Sequence, residues 1–285
     1  MRGSDASAST AWAKPQPAYP NHRLTATTVL MTATPPIRPP AAALLLLEGR
    51  ALLELAALLP AYPLLRRAPR GDGHPVLVLP GFMASDTSTR ALRRFLRDKG
   101  YAAHGWRLGR NRGPSEALIG ALLERLEQLR VRHGRRVSLI GWSLGGIYAR
   151  ELARAMPDRV RQVITLASPF RDLDAVNVPR FLQRRARRRN PIGDDAAIRS
   201  RLREALAVPT TAIFSRTDGI AAGLSCRADP APQTESLEVE SSHLGIGHHP
   251  VVLLTIAERL AQAEGAWIPF VPPRGWRFPF VPRVA

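Results

Sequence analysis

Short apolar runs alternate with longer amphipathic stretches through most of the chain after Gly71. A short, continuous apolar run is typical of a parallel strand that is buried on both faces. Such runs predict strands at Val76–Leu79, Ala102–Arg107, Val137–Ile140, Val160–Leu166, Thr211–Ser215 and Leu237–Glu240.

Helical periodicity fills the segments between these strands. The predicted helices are Thr87–Lys99, Ser115–His133, Leu144–Ala155, Ala196–Ala207 and Val251–Ala263. Strands joined by helices of this length need right-handed crossover connections, which place helices on both faces of a parallel sheet. The sequence therefore predicts an α/β fold with a mostly parallel sheet in a domain that spans residues 71–268, followed by a proline- and aromatic-rich tail at 269–285.

An insertion at residues 171–209 separates two of the predicted strands. Helices inserted at this place would cover the carboxyl ends of the strands, where open α/β sheets bind ligands, so we interpret the insertion as a helical lid. Its basic run Arg184–Arg189 is either a solvated helix face or a surface that favours anionic substrates or an anionic lipid surface.

Residues 1–40 are rich in Ser, Thr, Ala and Pro and show no apolar periodicity, which predicts a disordered extension. Met31 is an alternative start of translation. The leucine-rich stretch Ala41–Leu59 predicts a helix that ends at Pro60.

The charged residues of the leucine-rich stretch keep it short of the about 20 apolar residues that a membrane span needs. We expect residues 41–70 to form an amphipathic helix and linker packed on the main domain. The alternative is an interfacial anchor that contacts a membrane surface through residues 41–67.

Arginine dominates the charge of the chain: 41 Lys+Arg against 23 Asp+Glu give a formal net charge of +18 over 285 residues. The arginines are spread along most of the chain, so we interpret them as solvated surface charge and expect no nucleic-acid partner. The single cysteine, Cys226, excludes an intramolecular disulfide and a cysteine-rich zinc site. It fits a reducing, cytoplasmic compartment.

A turn of small residues around Ser143 is the strongest chemical signal in the sequence. The segment Gly141-Trp142-Ser143-Leu144-Gly145 matches G-x-S-x-G, directly after a predicted strand and directly before a predicted helix. In this context the pattern indicates a nucleophile elbow, because the serine sits on a tight, strained turn that requires small neighbours. Ser143 is therefore the predicted nucleophile.

An acid and a histidine must follow this serine along the chain if the elbow is catalytic. Asp218 is the predicted acid because it lies at the carboxyl end of an apolar run. His243 is the predicted base because it comes three residues after the last predicted strand. His248 and His249 are the alternatives, but they lie directly before Pro250, which opens the last predicted helix.

Two backbone N–H groups are predicted to form an oxyanion hole. The first is the N–H of Leu144, next to the nucleophile. The second is the N–H of Phe82, in the loop after the first strand, where Gly81 allows a close backbone approach. The segment Gly105–Asn111 either lines the pocket or shapes a loop.

Taken together, these segments resemble the α/β-hydrolase superfamily and, within it, bacterial esterase/lipase-like serine hydrolases. The resemblance runs from about Glu48 to Phe270 and rests on four motifs: VLVLPG at 76–81, GWSLGG at 141–146, SRTDG at 215–219 and SHLGIG at 242–247. It implies ester hydrolysis without a cofactor or metal, with Ser143, Asp218 and His243 as catalytic triad. One departure is Ala221-Ala222-Gly223, where such relatives carry a bulky aromatic residue, which leaves the shape of the acyl pocket open.

The sequence thus predicts a serine hydrolase that cleaves carboxylic esters of small molecules or lipids through an acyl-serine intermediate. Thioesterase, amidase and cofactor-free haloperoxidase activities share this triad and stay open. So does a catalytically silent binding protein with the same fold. A dehalogenase of this fold is excluded, because it needs a carboxylate at position 143.

Overall fold

A mostly parallel sheet forms the centre of the structure, a computed structural model that describes residues 36–178, 196–272 and 282–285. In the described part the sheet has seven strands in the order β2-β1-β3-β4-β5-β6-β7. Every neighbouring pair is parallel except β6 and β7, which are antiparallel. The strands are β1 (Pro75–Leu79), β2 (Ala102–Gly105), β3 (Val137–Trp142), β4 (Val160–Leu166), β5 (Thr210–Phe214), β6 (Thr234–Glu238) and β7 (Arg283–Val284).

Helices cover both faces of the sheet. They are α1 (Ala42–Leu46), α2 (Ala51–Ala56), α3 (Leu58–Arg66), α4 (Arg90–Asp98), α5 (Glu116–His133), α6 (Leu144–Ala155), α7 (Ala196–Arg203) and α8 (Pro250–Ala261), with a 3₁₀ turn at Leu47–Arg50 between α1 and α2. Buried side chains of α4 and α8 pack on one face, and those of α5 and α6 pack on the other. The predicted fold class, an α/β fold with helices on both faces of a mostly parallel sheet, is confirmed.

The last long strand begins earlier than its apolar run predicts. Sequence periodicity places it at Leu237–Glu240, whereas β6 is Thr234–Glu238. The polar start of β6 is buried because Glu235 pairs with the guanidinium of Arg259 at 2.9 Å. A buried ion pair of this kind interrupts the apolar pattern without ending the strand. His243 consequently follows the strand by five residues rather than three.

The prediction that the leucine-rich helix ends at Pro60 is wrong, because α3 continues to Arg66. Pro60 lies in the first turn of α3, where a missing N–H removes no intrahelical bond. The helical stretch is instead interrupted earlier, by the 3₁₀ turn at Leu47–Arg50. Among the described residues, no helix is long and apolar enough to cross a membrane.

The described part of the insertion packs against α6. Arg150 of α6 is buried and donates to the carbonyl oxygens of Leu202 at 3.0 Å and Glu204 at 2.7 Å. Its guanidinium also lies 4.1 Å from the ring of Phe170. The lid at 171–209 stays a prediction, because its basic run Arg184–Arg189 lies outside the described residues.

Of the predicted disordered extension, residues 1–35 also lie outside the described part.

The tail at 269–285 contributes one element that the sequence pattern did not indicate. The two-residue strand β7 extends the sheet by pairing with Leu237 and Glu238 of β6. Residues 273–281 lie outside the described part.

Candidate active site

Ser143 occupies the turn between β3 and α6 with a φ of 54° and a ψ of −122°. Positive φ is uncommon for a residue with a side chain and stores strain that the surroundings must hold. Here the Ser143 N–H donates to the Leu166 carbonyl at 2.8 Å, and the Gly146 N–H donates to the Ser143 carbonyl at 2.9 Å. The turn is therefore held from both sides, with half-buried Ser143 at the carboxyl end of β3.

The small residues around Ser143 are required by close backbone approach. A Cβ at Gly141 would overlap the backbone of Gly145 and Gly146. A Cβ at Gly145 would overlap the backbone of Leu79 at the end of β1. The G-x-S-x-G spacing thus lets the start of α6 lie against the end of β1, from which the loop with Gly81 and Phe82 departs.

Asp218 and His243, from the loops after β5 and β6, are in direct contact. The Nδ1 atom of His243 lies 2.8 Å from Oδ2 of Asp218, and the residues are 4% and 2% exposed. The other carboxylate oxygen accepts the N–H groups of Ile220 and Ala221, both at 2.7 Å. With Asp218 as the acceptor, the tautomer that has a hydrogen on Nδ1 satisfies this contact and leaves the Nε2 lone pair available.

The turn at Ser143 and the loop of His243 are joined through Trp142. Its indole N–H donates to the carbonyl oxygen of His243 at 3.0 Å. The hydrogen bonds of the described residues do not include one between the Ser143 hydroxyl and the His243 ring. Such bonds are often long in the absence of substrate and tighten only in the reacting complex.

The loop that holds Phe82 is pinned by Asn111, which is fully buried. The Asn111 side chain donates to the Pro80 carbonyl at 2.9 Å, and its Oδ1 accepts the Tyr148 hydroxyl at 3.1 Å. Its backbone carbonyl accepts the Met83 N–H at 2.6 Å. The segment Gly105–Asn111 therefore shapes the loop through Asn111.

The two predicted oxyanion donors lie near Ser143, Leu144 as its neighbour in sequence and Phe82 through the loop of Gly81. Leu144 is the first residue of α6, and Gly81, next to Phe82, lies so near that a Cβ there would be 3.2 Å from the Ser143 Cβ. No described hydrogen bond uses the N–H of Phe82 or of Leu144. Both groups therefore meet the first requirement for an oxyanion hole, which is a donor free to bind a substrate oxygen.

Solved structures of lipolytic enzymes share this architecture. Aspergillus fumigatus lipase B aligns over 71% of this chain with a TM-score of 0.54 and 15% sequence identity. Bacillus licheniformis lipase BlEst2, in its mature form, aligns over 69% of this chain and 95% of its own, with a TM-score of 0.52 and 14% identity. This chain has the α/β-hydrolase fold.

A third structure with this α/β-hydrolase fold comes from LipS and LipT, two metagenome-derived lipolytic enzymes. It aligns over 67% of this chain and 93% of its own, with a TM-score of 0.50 and 19% identity. The chain spans just over half, 57%, of the Aspergillus lipase. No protein-family model and no curated protein sequence matches the chain.

Two buried glutamates of the N-terminal segment hold the loops of this α/β-hydrolase fold, and sequence reasoning missed them. Glu48 accepts the N–H groups of Gly219 at 2.8 Å, His243 at 3.0 Å and Leu244 at 2.9 Å. Glu54 accepts the N–H of Ser242 at 2.8 Å and its hydroxyl at 2.7 Å. The sequence does show two acids in an apolar stretch, but this pattern does not identify the N–H groups that bond to them.

The alternative bases, His248 and His249, have other surroundings. The Nε2 atom of His248 lies 3.0 Å from the Ala51 carbonyl. His249 is the residue before α8, and burial lowers its pKa. Neither is bonded to Asp218 among the described contacts, so His243 is the histidine that the fold pairs with the acid.

The single cysteine and the possible metal ligands were the other candidates for reactive groups in the sequence. Burial, with Asp218 nearby, raises the pKa of Cys226 well above its usual value, which keeps the thiol protonated. No group of three or more His, Cys, Asp or Glu side chains in the described ranges is arranged to hold a metal ion.

Proposed function

We propose that this protein is a serine esterase that cleaves carboxylic esters through an acyl-serine intermediate. The observation that carries the proposal is the contact of His243 with Asp218 at 2.8 Å, together with the bond of Trp142 that ties the His243 loop to the strained turn of Ser143. The fold shared with lipolytic enzymes supports it. Strain at a single serine, together with a buried acid–histidine pair, is the arrangement that acyl transfer needs.

In the proposed reaction the Ser143 hydroxyl attacks the ester carbonyl while Nε2 of His243 takes its proton. The N–H groups of Phe82 and Leu144 bind the oxyanion of the tetrahedral intermediate. His243 then gives the proton to the leaving alcohol, and the carbon–oxygen bond breaks. Water repeats the sequence on the acyl-serine, which releases the acid and restores Ser143. Asp218 holds the Nδ1–H tautomer and stabilises the imidazolium.

We also propose that residues 41–67 contact a membrane, because this segment buries its two acids and leaves most of its leucines exposed, although Leu58 and Leu65 of α3 pack on the core. Glu48 and Glu54 are buried, whereas the exposed large apolar side chains include Leu46, Leu52, Leu53, Leu59 and Tyr62. A helix packed on a domain normally buries its apolar stripe. An exposed apolar patch of this kind marks an interaction surface.

Charge and position favour an anionic lipid surface as the occupant. Arg66 and Arg67 are exposed at the end of α3, and the chain carries a formal net charge of +18. Leu244, 51% exposed, follows His243 directly and is bonded through its N–H to Glu48 of the same segment. The apolar surface thus borders the candidate catalytic group, where it would bring a lipid ester to Ser143.

Hydrolysis of a series of p-nitrophenyl esters, acyl-CoA thioesters and p-nitroanilides tests the reaction type. We expect esters to be cleaved with the highest kcat/KM, and Ser143→Ala to abolish the activity with the fold intact by circular dichroism. Ser88→Ala, at an exposed serine, is the matched control and retains full activity. A preference for thioesters or anilides would replace the ester assignment, and a wild-type protein inactive on every class would reject the proposal.

A further inference from the structure

The loops that carry Asp218 and His243 share one buried carboxylate. Glu48, 6% exposed, accepts hydrogen bonds from the N–H of Gly219, directly after the acid, and from the N–H of His243 itself. Both bonds end on the same oxygen, Oε1, while Oε2 accepts the Leu244 N–H. A charged acceptor makes shorter and stronger bonds than a neutral one, so this group restrains the separation of the two loops.

Glycines in both loops make room for the N-terminal segment. A Cβ at Gly219 would overlap the backbone of Leu44, and a Cβ at Gly245 would overlap the carboxylate of Glu54. Neither glycine has a positive φ, so close approach rather than turn geometry accounts for them. The glycines of the SRTDG and SHLGIG motifs therefore allow the two loops to pack closely against the N-terminal segment.

A second set of contacts fastens the segment that presents Glu48. Arg50 donates to the Thr217 carbonyl at 2.9 Å and to its hydroxyl at 2.7 Å. Glu54 binds Ser242 and also accepts the hydroxyl of Ser241 at 3.2 Å. Arg50 contacts the acid loop alone and Glu54 the histidine loop alone, whereas Glu48 contacts both.

We propose that Glu48 is a positioning residue whose carboxylate bridges the acid and histidine loops and so sets the geometry of the Asp218–His243 pair. The effect on turnover rests on the proposed esterase function, whereas the effect on the pair does not. Backbone N–H groups that lose a buried acceptor must find water or move, and a small displacement of a catalytic group lowers turnover far more than it lowers stability.

The test compares Glu48→Gln with Glu54→Gln and Glu48→Ala. Gln keeps the size of the side chain but replaces one acceptor oxygen with an NH₂ group that repels an N–H donor. For Glu48→Gln we expect kcat to fall roughly 10- to 100-fold with KM nearly unchanged. Glu54→Gln disturbs the acceptors of the histidine loop and the 3.4 Å ion pair with Arg50 but leaves the bridging carboxylate of Glu48 in place. It should therefore lose less kcat for a comparable fall in melting temperature. Glu48→Ala should match or exceed the loss in Glu48→Gln.

The downfield NMR resonance of the His243 Nδ1 proton gives a second readout that does not depend on turnover. We expect this resonance in wild type and in Glu54→Gln, and its broadening or upfield shift in Glu48→Gln. A folded Glu48→Ala protein with unchanged kcat and an unchanged resonance would overturn the proposal, as would a loss in Glu54→Gln equal to that in Glu48→Ala. If wild type hydrolyses no ester, the proposed function fails, and the resonance alone decides the role of Glu48.

Discussion

The indole of Trp142 donates a hydrogen bond to the carbonyl oxygen of His243 at 3.0 Å. Trp142 directly precedes the strained Ser143, and the two bonded residues are 101 positions apart in the chain. The bond therefore ties the turn at Ser143 to the loop of the predicted base. Trp142, the variable residue before the serine of the G-x-S-x-G motif, therefore has a structural role here.

Replacing Trp142 with Phe removes this N–H while keeping an aromatic ring in the buried site. The His243 carbonyl then loses a partner, so we expect the histidine loop to shift relative to Ser143 and kcat to fall by roughly 5- to 50-fold, with stability reduced by about 1–2 kcal/mol. Steady-state kinetics and urea unfolding measure the two effects. A kcat within twofold of wild type would show that the bond does not position the base.

Replacing His243 with Ala should lower kcat by about three or more orders of magnitude, because no other described histidine contacts Asp218. His248→Ala and His249→Ala serve as controls on the same loop. His248→Ala breaks the contact with the Ala51 carbonyl, so we expect a small loss of stability and nearly full activity. If one of these controls loses activity while His243→Ala retains it, the base is not His243.

The pH dependence of stability should reflect His74, which is fully buried between Asp72 at 2.5 Å and Ser138 at 2.9 Å. Burial lowers the pKa of His74 to about 4, against the raising effect of Asp72. The unfolded chain therefore takes up a proton near pH 6.5 that the folded protein binds only near pH 4. Stability should be constant above this window and fall as pH decreases through it.

Urea unfolding across this window measures the effect, which for His74 should be on the order of 3 kcal/mol. Burial also lowers the pKa of His104, to about 4, and its neighbour His133 adds to the shift. His104 and His74 therefore both lower the stability of the folded protein as the pH decreases. His74→Gln should be less stable near neutral pH but lose less stability on acidification than wild type. An equal loss in both proteins would remove His74 as a cause.

Binding to lipid vesicles tests the apolar surface of residues 41–67. We expect co-sedimentation with vesicles containing phosphatidylglycerol, weaker binding to pure phosphatidylcholine, and loss of binding in Leu52→Ser/Leu53→Ser/Leu59→Ser. Val131→Ser, at a valine of α5 that is 63% exposed, is the matched control and should bind normally. The Ser143→Ala background keeps the lipid intact during the measurement.

Two outcomes would contradict the membrane proposal. Equal binding of the triple leucine variant and wild type would show that the leucines are not the contact surface. A wild-type protein that ignores vesicles but forms a dimer that the leucine substitutions dissociate would assign the surface to a second copy of the chain.

The sequence predicts those parts of the structure that are determined by neighbouring residues in the chain. The turn at Ser143 followed from small residues between an apolar run and a helix, and Asp218 from its place after β5. The start of β6 was missed because buried Glu235 is stabilised by Arg259, 24 residues away. The helix α3 was cut short because a first-turn proline resembles a helix stop.

The inward face of the N-terminal segment lay beyond sequence reasoning for a similar reason. The N–H groups that bond to Glu48 lie 171 and 195 residues further along the chain, so the local pattern of acids in an apolar stretch does not identify them. From its sequence, an apolar helix with isolated acids resembles a surface helix. Only the folded structure shows that these acids are buried and accept hydrogen bonds from backbone N–H groups.

The most direct measurement of the central claim is mass spectrometry after treatment with a fluorophosphonate. Ser143, activated by the His243–Asp218 pair, should be modified at stoichiometric yield, and peptide mapping should place the adduct within GWSLGG. His243→Ala should slow the labelling by orders of magnitude, and Ser143→Ala should abolish it. A folded wild-type protein that is not labelled, or that carries its adduct on another residue, would contradict the account.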